Sequence, residues 1–523
     1  MPVGCAWRRE YAADWLLVVL LTLAALAMRR AQAWESLWLD ELHTSWVVAD
    51  GAEAVPSRAM IGNQPPTYFY LVWATVQTLG ASEWTLRFPS VLAGTALIPL
   101  SFVLIGHATR SRAAAWTAAF VAAIDRDFLF YATEARVYAL VQLLAVVRFW
   151  VFWQSLQTPQ TRWRAAYIAL AAVMFYCHYT TALLWIGEAA CAAVWMLRQP
   201  EPDGTAKRFL TDSALLFVSC LPATAHVLEI YGRRDNWALF IPRPTLEHLA
   251  RPAFLQRSGL LACYLAPAAF CGGAAWLRRV HGAEKQNALP NVSRLRLLLM
   301  ILLIWTAAPV ATAWLLSVGD VVRVFFYRFL IGAAAAVPLL AGLLCGLAPT
   351  RTWRGTAAVS TTLVALLALG PRYASQFHAD GRFLSDRHEN WRGAVAYVNE
   401  HDDALPVLVD AGLIEANHPS ATFDATVQPY CLLPVAGLYA IDTARHSRFA
   451  VALRRSDGFP PEARRAVAEQ GGAWLLLRAR PSSAARVADS VRRKFADRAA
   501  RIADTTSFGG VQVLRIELAP LPR

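Results

Sequence analysis

Long apolar runs joined by short polar stretches fill the chain up to about residue 375, and a mixed polar pattern follows. Runs long enough to cross, or nearly cross, a bilayer that takes about 20 helical residues begin near Tyr11, Phe88, Ala113, Ala135, Ala165, Thr181, Ala214, Gly259, Leu295, Phe329 and Thr356. They predict roughly eleven membrane-spanning helices. From about Gln376, charged helix-like runs (Glu462–Gln470, Ala484–Ala500) alternate with short β-rich segments (Val407–Val409, Phe449–Leu453, Trp474–Leu477, Val511–Ile516). That alternation predicts a small α/β unit. The expected architecture is an α-helical polytopic membrane protein, with a membrane domain over residues 1–375 and a soluble α/β domain over 376–523. The second domain holds no G-x-G-x-x-G, P-loop or nucleophile elbow, so it is expected to dock or cover rather than to carry chemistry.

Composition agrees. The chain is 56% hydrophobic and only 17% charged, with a mean hydropathy of +0.36, whereas a soluble domain carries about 25% charged residues. Twenty tryptophans suit two aromatic belts at headgroup level. A net charge of +13 raises the question of nucleic acid. The basic residues, however, fall mainly in short joints: Arg8/Arg9, Arg110/Arg112, Arg162/Arg164, Arg198/Lys207/Arg208, Arg278/Arg279/Lys285/Arg294 and Arg351/Arg354. This is the positive-inside pattern, and no nucleic-acid partner is expected. It sets the N-terminus in the cytoplasm and everything after about Arg372 outside, although Arg29-Arg30 and the arginines between Tyr231 and Arg257 run against it. Lysine occurs only at Lys207, Lys285 and Lys494 beside abundant arginine and alanine, the bias of a GC-rich bacterial genome, so the expected location is a bacterial inner membrane. Arg8-Arg9 before an apolar run resembles a signal peptide; without a small-residue cleavage site the run reads as a retained first helix. The eight cysteines show no CxxC pair or metal-ligand spacing and read as small core residues.

The candidate chemistry sits in the joints on the opposite side. The first, from about Met28 to Arg87, carries Ser36-Leu37-Trp38 followed by Asp40, Glu41 and His43, then Gln64-Pro65-Pro66-Thr67-Tyr68, and then Glu83 to Arg87. Two adjacent carboxylates at a bilayer boundary are costly unless hydrated, paired or used. Pro65-Pro66 can start an amphipathic helix bearing Tyr68, Phe69, Tyr70 and Trp73. A second joint places Glu134, Arg136 and Tyr138 near a helix start, a third carries His178-Tyr179, and a later one ends in Tyr327-Arg328-Phe329. Buried pairing is the expectation for Glu188, and for His226 and Glu229.

In order and placement these residues resemble the GT-C superfamily of polyprenyl-phosphate-sugar glycosyltransferases, in particular bacterial relatives of the protein O-mannosyltransferases and of the aminoarabinose transferases that act on lipid A. The resemblance runs through Ser36-Leu37-Trp38 with Asp40-Glu41, Gln64 to Tyr68, Glu83 to Pro89, Glu134 to Tyr138, His178-Tyr179, Arg328, and Glu389-Asn390-Trp391-Arg392-Gly393-Ala394-Val395. It implies inverting transfer of a sugar, mannose or similar, from a polyprenyl-phosphate donor to an acceptor hydroxyl of a glycan, lipid or protein at the outer membrane face. Asp40 matches the family's first-loop aspartate and is the expected general base. Glu41, His43, Gln64, Arg87, Glu134, Arg136, Tyr138, His178 and Arg328 are the expected substrate-binding set, with Arg136 and Arg328 suited to the leaving phosphate because guanidinium binds phosphate through two parallel hydrogen bonds. Arg136 can equally pair with Glu134, and Arg328 can reach past apolar surface to the interface.

Two departures from the family pattern bear on chemistry. Gln64 stands where relatives often carry His or Glu at a cation-binding position, and an amide is a poor ligand; a divalent cation stays open as a cofactor, with Glu41 and Glu83 the carboxylates that would hold it, although a structural role is the first expectation for Glu83. Asp125-Arg126-Asp127 stands where relatives have an apolar residue and proline. The alternative function is a transporter or flippase for polyprenyl-linked glycans, which would spread ionisable residues through the midplane and show repeat symmetry. A non-catalytic subunit is a further alternative, for which Asp40 would be dispensable.

Overall fold

The computed structural model describes residues 12–158, 160–198, 204–238, 241–250, 273, 292–369, 389–413, 427–453, 458–479 and 500–519. The chain forms two compact units: one from Met1–Gln32 with Pro89–Phe383, the other from Ala33–Phe88 with Leu384–Arg523.

The second unit is built on a five-stranded sheet, β1 (Val407–Asp410), β2 (Arg448–Ala450), β3 (Gly472–Arg478), β4 (Ala500–Phe508) and β5 (Val511–Leu518), in the order β2-β1-β3-β5-β4. β1 runs parallel to β2 and β3, while β5 is antiparallel to both β3 and β4. β3 is central and buried along nearly its whole length, which is why Trp474-Leu475-Leu476-Leu477 reads as an unbroken apolar run. Leu408, Leu475, Leu514 and Ile516 pack with Phe459, Ala463 and Val467 into one core. The last two lie on the helix Pro461–Gln470. The expected strands and this helix are all present, and β4 is additional. The expected run Ala484–Ala500 lies outside the described residues except for its last position.

Residues 33–88 of the same unit fold as the helix Leu39–Val47, the short helix Val55–Ile61, the helix Thr67–Leu79 and the first turn of Glu83–Thr109. Thr67–Leu79 follows Pro66 and buries Tyr68, Phe69 and Val72, as the proline pair predicts. Gly437 approaches this segment so closely that a Cβ there would lie 2.6 Å from Ser45 Oγ and 3.2 Å from the Trp46 amide, so a larger residue would push Ser45 and its backbone aside.

In the first unit, six helices among the described residues are long and apolar enough to cross a membrane: Glu83–Thr109, Tyr138–Gln157, Tyr179–Leu197, Thr205–Gly232, Ser293–Val318 and Tyr327–Gly346. Helices also cover Ala12–Gln32, Arg112–Ile124, Thr161–Cys177 and Arg351–Leu369, and the run expected near Gly259 lies outside the described residues. The expected count of eleven is not confirmed. Arg112–Ile124, at 13 residues, falls short of the ~20 that a bilayer crossing needs.

One ion pair ties four of these helices. Glu188 is fully buried and receives Arg148 Nε at 2.8 Å and a terminal guanidinium nitrogen at 2.7 Å, Tyr167 OH at 2.7 Å and Trp305 Nε1 at 3.3 Å. Arg148 also donates to the Thr181 carbonyl at 3.4 Å. The expectation that Glu188 is paired is met, and every lone pair facing the interior has a donor, which is the condition for tolerating such a charge. We expect Arg148→Met to lower stability by about 3–5 kcal/mol because it strands the carboxylate, and Arg148→Met with Glu188→Gln to recover most of that loss. Thermal unfolding of the purified variants in lipid measures both.

Candidate functional site

In the second unit, the helix Leu39–Val47 separates the two adjacent acids. Glu41 is fully buried against fully buried Arg87. Arg87 Nε donates to Glu41 Oε1 at 2.7 Å and a terminal nitrogen to Oε2 at 2.5 Å. The same guanidinium donates to the carbonyls of Ala33 (3.0 Å), Glu35 (2.6 Å) and Ser36 (3.3 Å). Glu41 Oε2 also accepts the Trp38 amide at 3.4 Å. Both residues were expected to bind substrate; the structure places them on each other. Asp40, one position earlier, is only partly buried, so of the two acids it is the one with a surface to offer.

His43 is buried in an aromatic box, its ring 5.4 Å from Phe69 and 5.5 Å from Tyr430. A Cβ on Gly62 would lie 2.3 Å from that ring, so the box closes only with glycine. Gln64 is partly buried and follows Asn63, whose φ of 58° turns the chain. The carboxylates named for a cation do not fit one as they stand: Glu41 is held by Arg87, and Glu83 Oε1 accepts Arg392 at 3.0 Å and Tyr439 OH at 2.9 Å. Among the described residues, no group of three His, Cys, Asp or Glu side chains is placed to hold a metal ion.

In the first unit, Arg136, Tyr138, His178 and the Tyr327–Phe329 turn come together. The Tyr138 ring lies 6.0 Å from that of His178, which lies 6.0 Å from Phe329. Thr180 Oγ1 joins the turn by donating to the Phe329 carbonyl at 2.8 Å. His178 Nδ1 is 2.8 Å from the same hydroxyl. Burial, and then the positive charge of Arg136, push His178 down to about 4, so its ring is neutral at neutral pH. Arg136 and Glu134 are both buried, and the Arg136 carbonyl accepts Ser90 Oγ at 2.7 Å. Arg328 lies over the rings of Phe326 and Tyr327 and donates through Nε to Tyr327 OH at 3.2 Å. Nearby in sequence, Asp125 caps the helix Arg126–Ala132 by accepting the amides of Asp127 (2.9 Å) and Phe128 (3.3 Å). Burial and the neighbouring charge of Asp127 push it up to about 7.

Sequence reasoning missed Arg148 and Tyr439. Arg148 had a signal, a lone charge inside an apolar run. Tyr439 had none, because its partners Leu37 and Glu83 lie 402 and 356 residues away.

Residues 63–226 match the family model described as dolichyl-phosphate-mannose-protein mannosyltransferase. Among solved structures, ArnT from Cupriavidus metallidurans bound to undecaprenyl phosphate aligns with a TM-score of 0.50 at 11% identity, over 96% of this chain and 98% of that one. The apo state of that protein aligns over the same shares at 13% identity with a TM-score of 0.40. No curated protein sequence matches the chain. The family match thus covers the segment from Asn63 to His226, about a third of the chain, and the structural match shows a fold shared over nearly the whole of it.

Proposed function

We propose that the protein transfers a sugar, mannose or similar, from a polyprenyl-phosphate donor to an acceptor hydroxyl at the outer face of a bacterial inner membrane, with inversion and with Asp40 as general base. The observation that carries this reading is the division of labour in the acid pair. Glu41 is neutralised by Arg87, whereas Asp40 stands on the first turn of the same helix and is only partly buried. A base must reach the hydroxyl it deprotonates, and a partly exposed carboxylate on a fixed helix meets that need. The matched family and the undecaprenyl phosphate bound by the ArnT structure support a polyprenyl-phosphate donor here.

Transfer leaves negative charge on the departing phosphate, and fixed cations stabilise it without reorganising. Arg136 and Arg328 take that role in this reading. Neutral His178 and Tyr138 offer hydrogen bonds to the same group or to sugar hydroxyls. Glu41 and Arg87 hold the helix that presents Asp40.

Purified protein in lipid, given a panel of radiolabelled polyprenyl-phosphate sugars, should consume one donor and release free polyprenyl phosphate. Asp40→Asn should lower that rate by about 100-fold or more while leaving the protein folded. A broad panel left untouched by wild type would overturn the reading and favour transport, which flipping across vesicles would then examine.

His178 gives a pH prediction. Its folded value of about 4 lies below its ordinary 6.5, so the unfolded chain takes up the proton first on acidification. Its contribution is fully present above about pH 6.5 and is lost as pH falls through about 4. Thermal unfolding between pH 7 and 4 should show a slope that His178→Gln flattens; an unchanged slope would refute the assignment.

A further inference from the structure

The helix carrying Asp40 has one local capping contact, Glu41 Oε2 accepting the Trp38 amide at 3.4 Å, and no acceptor from its N-cap side chain. Its N-cap residue is Trp38, whose indole donates but cannot accept. The first amide of the helix, Leu39 N, instead donates to Glu389 Oε2 at 3.0 Å, a carboxylate 350 residues later in the chain. An acceptor of negative charge at this end both satisfies an orphan donor and complements the helix dipole.

Glu389 is itself held from three sides. Trp391 Nε1 donates to Oε2 at 2.9 Å, and Arg478 Nε, at the end of β3, donates to Oε1 at 2.7 Å. Its backbone bridges to Gly509 in the turn between β4 and β5, and the neighbouring Asn390 amide donates to the Phe508 carbonyl at 3.2 Å. The side chain is 10% exposed, so water does not compete freely for these bonds. The far end of the helix is fixed by the same fold: Leu438 N donates to Ser45 Oγ at 2.7 Å. The segment before it is fixed too, with Leu37 N donating to Tyr439 OH at 2.9 Å and Arg392 N to Ser36 Oγ at 3.2 Å.

We propose that Glu389 is a positioning residue for Asp40: the sheet-bearing part of the second unit holds Glu389, and Glu389 fixes the helical turn that aims the base. This rests on the reading of Asp40 as base. It assigns the C-terminal fold a part in the chemistry rather than only in acceptor docking. Glu389 touches no reacting atom in this scheme; it acts through the amide one residue before Asp40.

The test uses full-length protein in lipid, with sugar transfer and amide hydrogen exchange measured side by side. Glu389→Ala should lower kcat by about 10- to 100-fold with KM for the donor unchanged, since the base is misplaced and the donor contacts are not. Exchange across Ser36–Val47 should quicken. Added to Asp40→Asn, the same change should cost nothing further, because the two act as one unit. Wild-type kcat in Glu389→Ala, unaltered exchange in that segment, or a full additional loss in the double variant would each overturn the proposal. Should Glu389→Ala fail to fold, Glu389→Asp keeps the charge and withdraws the acceptor by one methylene; the same kcat loss is expected, and a wild-type rate overturns the proposal. Full turnover in Asp40→Asn would instead sink the assignment of the base, and the exchange measurement would still decide whether Glu389 orders the helix.

Discussion

The second unit depends on the solvation of one buried cation. Arg87 is fully buried, and removing a guanidinium from water costs several kcal/mol unless its donors are all engaged. The chain answers with Glu41 and three consecutive-region carbonyls, from Ala33, Glu35 and Ser36. Those carbonyls cannot converge on one guanidinium unless the segment before the Leu39–Val47 helix wraps tightly around it. The wrap in turn brings Leu37 and Leu39 to where Tyr439 and Glu389 meet their amides. Electrostatic satisfaction of one residue thus dictates the path of the backbone on either side of Asp40.

Arg148 and Glu188 follow the same rule in the first unit, with a different geometry. There the acid is the hub, receiving donors from three other helices. Glu188 gathers side chains and fixes helix packing; Arg87 gathers main-chain carbonyls and fixes a loop. Each is expensive to break from one side only, since the survivor is left charged and dry. In both pairs the buried charges are turned on each other, so burial and partners, rather than residue type, describe what each charged residue does in the fold.

How far the sequence told this depends on the range of the interaction. Membrane character, the α/β nature of the C-terminal region and four of its five strands were legible, because each follows from local periodicity in a buried segment. β4 was not: it is an edge strand, alternately half-buried and exposed, and Asp504-Thr505-Thr506-Ser507 leaves no apolar alternation to read. At the site, Asp40 could be singled out by type and position. The pairing of Glu41 with Arg87 could not, since a carboxylate reads identically whether it meets a ligand or an arginine 46 residues away. The grouping of residues 33–88 with 384–523 also left no trace, for hydropathy reports on burial and not on partners.

That grouping has a temporal side. The Leu39 amide waits for an acceptor made 350 residues later, and at about 5–20 residues per second synthesis takes roughly 20–70 s to reach it. For most of that interval the acid-bearing segment has Arg87 but neither Glu389 nor Tyr439. A chain stopped short of its last strands would therefore keep its membrane helices and its carboxylate while lacking the frame that orders them, so competence arrives in one late step rather than growing with length.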